Sequence, residues 1–144
     1  MAKKWLATLV RARQVQEDVA KQRLATAERL VQRAHTRVRY DADRIDSLRA
    51  ADAEASAPAF VAAAVALQSA AATHSAAMQA AQEAAHATDL RRVELVEAAR
   101  ARRTAEELRE QELTVQRARA AVAAQSRLDE VAARIHRDNT ASRR

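Results

Sequence analysis

The sequence predicts an all-α fold, a long antiparallel two-helix coiled-coil hairpin in which helix 2 is longer than helix 1. Three features predict it: a shortage of turn-forming residues, a seven-residue apolar repeat, and a single proline at position 58. The 144 residues include no Gly, one Pro and 40 Ala. Folds with many tight turns need the positive-φ positions that Gly fills best, so sandwiches, barrels and doubly wound sheets are excluded.

Helix 1, expected over about residues 3–53, carries the clearest repeat. Alternating steps of three and four residues from Leu6 to Leu48 meet an apolar residue at ten of 13 positions, over six heptads. A strict seven-residue repeat keeps one stripe facing a partner helix, which is the seam of a left-handed coiled coil. The predicted seam positions are Leu6, Val10, Arg13, Glu17, Ala20, Leu24, Ala27, Val31, Ala34, Val38, Asp41, Ile45 and Leu48.

The turn is expected at about residues 54–58, within a tight reversal over Ala53–Pro58. Pro is tolerated in the first turn of a helix, where its missing N–H costs no hydrogen bond, and Ser56 is suited to cap the restarting helix. A reversal centred near residue 57 pairs position i with about 114 − i, which would place Leu24 opposite Leu90.

Helix 2 is expected over about residues 59–139, so that residues 1–144 form a single coiled-coil domain. Its C-terminal overhang, about residues 115–139, would extend roughly 38 Å beyond helix 1. The repeat is Ala-rich, and its register is expected to slip beyond Thr88, as a stutter that locally unwinds the supercoil. The predicted seam positions before the slip are Phe60, Ala64, Leu67, Ala71, His74, Met78, Ala81, Ala85 and Thr88; those after it are Ala101, Ala105, Leu108, Glu112, Val115, Arg119 and Val122.

The overhang ends in an apolar stripe formed by Leu128, Val131 and Ile135. Leu128 follows Val122 by six residues, so at 100° per residue the stripe is rotated by about a third of a turn from the hairpin seam. Two interpretations stay open: a frayed or self-associating C-terminus, and a docking stripe for another protein.

Charge and chemistry exclude several classes of function. The formal net charge is +6, but basic and acidic residues alternate in both outer thirds, as on solvated helix faces. The chain has no Cys, its four His stand alone, and no carboxylate pair lies in a cleft. We therefore expect no enzymatic activity, no cofactor, no bound metal and no nucleic acid partner. The uncharged stretch Ala55–Gln82 is too weakly apolar for membrane insertion, so a cytoplasmic protein is expected.

Two aromatic residues flank the predicted reversal. The predicted hairpin brings the helix of Tyr40 alongside that of Phe60. An aromatic residue beside the turn either packs against it and stabilises it, or stays exposed and contacts a partner protein. The second alternative is open because aromatic side chains dominate partner binding where a surface has few other large groups.

The assembled pattern resembles the FliJ family of cytosolic coiled-coil components of the bacterial flagellar export apparatus, and their injectisome relatives. Residues 1–30 are similar to the family's start, with Glu17 and Asp18 preceding Leu24. The break at Pro58, followed by an aromatic residue, lies where that family turns. The segment Ser126–Ala132 resembles the family's terminal signature of a hydrophobic residue, Asp, Glu, a hydrophobic residue and Ala.

This resemblance implies a mechanical role in type III protein export, flagellum biogenesis and motility, with chemotaxis downstream. Family members act as a stalk that binds the hexameric export ATPase, promotes its assembly, links it to the export gate membrane protein and escorts export chaperones. The protein would then be cytoplasmic and peripheral at the inner face of the inner membrane, through the export apparatus.

The resemblance also assigns residues. The ATPase-binding set would be Arg11, Arg13, Leu128, Asp129, Glu130, Val131 and Ile135, and the gate-binding set Tyr40, Phe60 and Leu67. The sequence leaves open whether the system is flagellar or an injectisome. The main alternative is a generic homodimeric coiled-coil structural or adaptor protein, and a nucleic-acid-associated helical protein is a lesser one.

Overall fold

The computed structural model describes residues 4–51 and 56–141, without the side chain of Ala51. They form two α-helices, α1 (Lys4–Ala51, 48 residues) and α2 (Ala57–Ala141, 85 residues). The two helices pack against each other, as the contact of Glu28 with Arg92 illustrates. The predicted fold class, a two-helix hairpin with a longer second helix, is confirmed.

Helix α2 begins at Ala57, one residue before the proline, whereas the sequence analysis placed its start at about residue 59. The backbone N–H of Phe60 donates to the carbonyl of Ser56 at 2.8 Å, which is the first hydrogen bond of the helix. Ser56 therefore occupies the N-cap position, and Pro58 lies in the first turn, where an N–H is not needed. Half of the predicted reversal, residues 53–55, lies outside the described residues.

The chain divides into two compact units, each containing part of both helices. The hairpin unit comprises residues 16–98, and the terminal unit comprises residues 1–15 with 99–144.

The seam of α1 agrees with the sequence prediction at every position. All 13 predicted seam residues are buried or half-buried, including the charged Glu17 and Asp41. A heptad read from large and small apolar residues therefore identifies the contact face of α1 correctly, even where a charged residue interrupts it.

The seam of α2 differs from the prediction at nine of its 16 positions, which are exposed: Phe60, Ala64, Ala71, Met78, Ala85, Leu108, Val115, Arg119 and Val122. Every second predicted position is buried or half-buried, at Leu67, His74, Ala81 and Thr88. Between them the buried or half-buried residue is one position earlier than predicted: Ala63, Ala70, Ala77 and Ala84 replace Ala64, Ala71, Met78 and Ala85. Phe60 and Met78 are exposed. Three of these four replacements exchange one Ala for the neighbouring Ala, so side-chain size offers no basis for choosing between the two positions; only Met78 was favoured over a smaller neighbour.

The predicted stutter beyond Thr88 is wrong. The three–four spacing continues without a slip through Arg91, Leu95 and Ala98 in the hairpin unit, and Arg102 and Ala105 keep the same spacing in the terminal unit. An Arg side chain can cover a seam with its aliphatic stem while its charged head reaches water. The apparent slip arises because a repeat read from apolar residues alone skips these Arg positions.

The pairing between the helices of the hairpin unit is also displaced from the prediction. Glu28 lies against Arg92, with 3.9 Å between carboxylate and guanidinium, whereas the predicted reversal places residue 86 opposite it. A groove lined by Val38 together with Ala81 shows the same displacement. The shift is about six residues, or roughly 9 Å along the helix. A reversal centred at the proline therefore does not predict the observed pairing.

In the terminal unit, the buried and half-buried residues of α2 end at Gln116. Leu6 and Ala105 are buried, and Gln116 is the last half-buried residue of α2. Every residue of the segment 117–141, called the terminal segment below, is exposed. At 1.5 Å per residue this segment is roughly 38 Å long.

One 18-residue window of α2 is long and apolar enough for a membrane span by length and composition, and almost none of it is buried. A single such window is weak evidence, because Ala contributes little to membrane insertion.

Candidate partner-binding surfaces

The terminal segment presents an apolar stripe to solvent. Leu128, Val131 and Ile135 are 65%, 54% and 55% exposed. Their spacings of three and four residues place them on one face of the helix. Val122 is also exposed, but it lies about 120–180° around the helix from the stripe.

Acidic residues flank this stripe. Asp129 and Glu130 follow Leu128 directly, and both are exposed. The amide nitrogen Nε2 of Gln125 donates to Oδ1 of Asp129 at 2.9 Å, which orients that carboxylate. All five C-terminal residues of the predicted ATPase-binding set therefore lie together on a helix with no intramolecular cover among the described residues.

The N-terminal members of that set occupy different environments. Arg13 is half-buried at a seam position, whereas Arg11 is exposed. Arg11 lines a groove of about 520 Å³ together with Thr8 and Val10 of α1 and Arg109 of α2. Among the described residues that line this groove none is a carboxylate, so the two guanidinium groups give it a positive potential.

Arg109 was not identified from the sequence. It becomes a neighbour of Arg11 only through the pairing of the helices, which the sequence prediction displaced. The signal that could have found it is the run of residues 1–16, which contains four basic residues and no acidic residue. Such a run calls for a search along the partner helix for further basic residues.

The structure does not bring the predicted gate-binding residues into one patch. Tyr40 and Phe60 are 60% and 57% exposed, whereas Leu67 is half-buried at a seam position. Because Val38 lies beside Ala81, Tyr40 lies roughly 30 Å along α2 from Phe60. The two aromatic residues therefore belong to separate surfaces.

Each aromatic residue has its own neighbours. Phe60 is followed on α2 by the exposed Val61 and Val65, which lie about 100° and 140° around the helix from it. Tyr40 instead lies beside Arg37, whose guanidinium carbon is 5.6 Å from the centre of the Tyr40 ring. Nε of Arg37 donates to Oδ2 of the buried Asp41 at 2.9 Å. Sequence reasoning missed this arrangement because it treated Asp41 only as an interruption of the heptad.

Residues of catalytic type are dispersed over the part of the chain that the structure describes. Within residues 4–51 and 56–141, no group of three or more His, Cys, Asp or Glu is placed to hold a metal ion. His74 is half-buried in the seam, and its Nδ1 atom has no hydrogen-bond partner among these residues.

Comparison with known proteins gives one match that covers nearly the whole chain. The family described as Flagellar FliJ protein matches residues 3–141, which include both helices and the apolar stripe of the terminal segment. No curated protein and no solved structure matches the chain significantly. Because the family match extends over far more than half of the sequence, the chain belongs to the flagellar FliJ family, a non-catalytic component of the flagellar protein export apparatus.

Proposed function

We propose that this protein is a coiled-coil stalk that binds the hexameric export ATPase, promotes its assembly and links it to the export gate membrane protein. The observation that carries the proposal is the terminal segment, a single helix exposed on every face with a stripe of Leu128, Val131 and Ile135. A single α-helix is about 10–12 Å across, so it fits the narrow bore of a protein ring.

The energetics support a reversible docking stripe. Complete burial of an aliphatic side chain contributes about 1.5–3 kcal/mol, and the three stripe residues are more than half exposed. Their burial against a partner therefore offers a few kcal/mol in total. The alternating charges around them add little each, since exposed ion pairs contribute about 0–1 kcal/mol. A total binding energy of this size suits a stalk that releases and re-forms its contacts with the ATPase.

The ATPase assay tests this proposal directly. ATP hydrolysis by the cognate export ATPase is measured with and without this protein, at a concentration where the ATPase alone is mostly monomeric. Analytical ultracentrifugation of the same mixtures reports hexamer formation. Stimulation together with hexamer formation supports the stalk function, and unchanged hydrolysis and assembly reject it.

The link to the export gate uses the surfaces around Tyr40 and Phe60 in this proposal, and escort of export chaperones uses the remaining exposed faces of the coil. The protein is then held at the cytoplasmic face of the inner membrane through its partners, without inserting into the bilayer. Pull-down of the soluble domain of the gate protein tests this part separately.

A homodimeric structural coil is the second candidate, and the same exposed stripe favours it. A second copy of the terminal segment could cover Leu128, Val131 and Ile135 just as the ATPase could. Light scattering of the isolated protein distinguishes the two, because a stalk that pairs only with the ATPase is monomeric.

A further inference from the structure

Asp41 is the most deeply buried large side chain among the described residues, with 2% of its surface exposed. It occupies a seam position in an Ala-lined coil, where an apolar residue would pack without losing hydration. Its Oδ1 atom has no hydrogen-bond partner among the described residues. A buried carboxylate is unfavourable unless it is well paired, so its presence in this seam calls for an explanation.

The one ion-pair partner that Asp41 has among these residues is Arg37, one helical turn earlier. Nε of Arg37 donates to Oδ2 of Asp41 at 2.9 Å, although the Arg37 side chain is itself more than half exposed. This bond uses only one of the donor nitrogens of the guanidinium group. Its terminal nitrogens therefore retain donor capacity for a partner.

Arg37 also lies beside the exposed Tyr40, with its guanidinium carbon 5.6 Å from the ring centre. This distance is within the range of a cation–π contact. Arg37 is therefore held on one side by a buried carboxylate and on the other by an aromatic ring. Fixing a long side chain in advance removes part of the entropy cost of binding.

We propose that Arg37 and Tyr40 form one docking element, and that Asp41 is the positioning residue that holds Arg37 in place. The occupant is a segment of the partner protein that carries a carboxylate beside an apolar side chain. The carboxylate binds the guanidinium, and the apolar group packs on the Tyr40 ring. The proposal rests on the proposed function, in which the export gate binds at Tyr40.

Charge around the element supports an acidic occupant. Arg33, Arg37 and Arg44 lie within two turns of Tyr40 and within about 60° of it around α1. Asp43 is the one exposed acidic residue in the same sector, and Glu83 is the one acidic residue between positions 56 and 88 of the sequence. Basic groups therefore outnumber acidic groups on this side of α1. Arg and Tyr are also the residue types that most often dominate binding at protein interfaces.

A purely structural role for Asp41, such as specifying the pairing of the helices, makes different predictions. In that case replacing Asp41 would change thermal stability or helix pairing, and any effect on binding would not depend on Arg37. A positioning role predicts that the effect of Asp41 on binding disappears when Arg37 is already absent.

The experiment measures affinity for the soluble domain of the cognate export gate protein by isothermal titration calorimetry, using the full chain. The variants are Tyr40→Ala, Arg37→Gln, Asp41→Asn, and the double variant Arg37→Gln with Asp41→Asn. Arg39→Gln is the matched control, because it removes the same charge from an exposed residue on a different face of α1. Circular dichroism melts of every variant report folding.

We expect Tyr40→Ala and Arg37→Gln each to weaken binding about tenfold, as for interface anchors. Asp41→Asn weakens binding by a smaller factor and leaves the melting temperature unchanged or higher. The double variant binds with the same affinity as Arg37→Gln alone. Arg39→Gln binds like the wild type.

Three results overturn the inference in distinguishable ways. If Tyr40→Ala weakens binding but Arg37→Gln and Asp41→Asn do not, the gate surface stands and the docking element is wrong. If the wild-type protein does not bind the gate domain, or Tyr40→Ala has no effect, the proposed gate surface is itself rejected together with the occupant. If duplex DNA binds instead, and Arg37→Gln abolishes that binding, the occupant is a phosphate backbone and the assignment to a protein carboxylate is wrong.

Discussion

The carboxylate of Glu28 on α1 lies 3.9 Å from the guanidinium of Arg92 on α2, and this contact marks the pairing of the two helices in the hairpin unit. Both side chains are about half exposed, so the ion pair itself contributes about 0–1 kcal/mol. The contact is informative because it shows which residues of α1 and α2 lie opposite each other, and the sequence alone predicts a different pairing.

Thiol cross-linking tests the register. The chain contains no Cys, so the double variant Glu28→Cys with Arg92→Cys carries two thiols and no others. We expect a short bis-maleimide to cross-link it efficiently, as a faster-migrating band after denaturing electrophoresis. The matched control is Glu28→Cys with His86→Cys, the pair that the sequence predicts. Stronger cross-linking of that control would show that the observed pairing is wrong.

Two neighbouring alanines test which residue faces the seam. Ala70 is buried, whereas Ala71, which the sequence places in the seam, is exposed. Ala70→Leu forces extra methylenes into a packed interface and is expected to lower the free energy of unfolding by about 1–3 kcal/mol. Ala71→Leu is expected to change stability by less than about 0.5 kcal/mol, as a surface substitution. Urea unfolding followed by circular dichroism measures both, and the opposite order of stability would refute the observed seam.

Charge placed in the stripe of the terminal segment is expected to abolish ATPase stimulation. Leu128→Asp and Val131→Asp replace an apolar contact by a group that is costly to bury. The melting temperature is expected to stay at the wild-type value, because these residues are exposed in the free protein. Val122→Asp is the matched control, since Val122 is exposed on a different face of the same segment. Equal loss of stimulation in all three variants would argue against a specific stripe.

The groove between Arg11 and Arg109 is expected to contribute a salt-dependent part of ATPase binding. Replacing both by Gln removes two guanidinium groups that line a groove without carboxylates. We expect about tenfold weaker binding at low salt and a flatter dependence on ionic strength, because the lost contacts are electrostatic.

Fluorescence anisotropy of labelled protein with the ATPase over a series of NaCl concentrations measures this effect. The double variant Arg39→Gln with Arg44→Gln removes the same charge from exposed residues of the hairpin unit and is the control. If both double variants lose the same affinity, net charge and not the groove accounts for binding.

The contact face of α1 could be predicted from the sequence alone. Its heptad alternates between large apolar, small and charged residues, so the seven-residue period stands out and every predicted seam position is buried or half-buried. The exposed stripe of Leu128, Val131 and Ile135 could also be predicted, because a six-residue step from Val122 breaks the period. Both features depend on spacing along one helix, which the sequence specifies locally.

The contact face of α2 and the neighbours across the helices were decided only by the tertiary structure. In an Ala-rich helix, adjacent positions such as Ala70 and Ala71 offer the same side chain, so no periodic contrast distinguishes seam from surface. The pairing of Glu28 with Arg92 and the position of Arg109 beside Arg11 depend on how one helix slides along the other. That sliding is set by the summed packing of many small residues, a non-local quantity that no short stretch of sequence encodes.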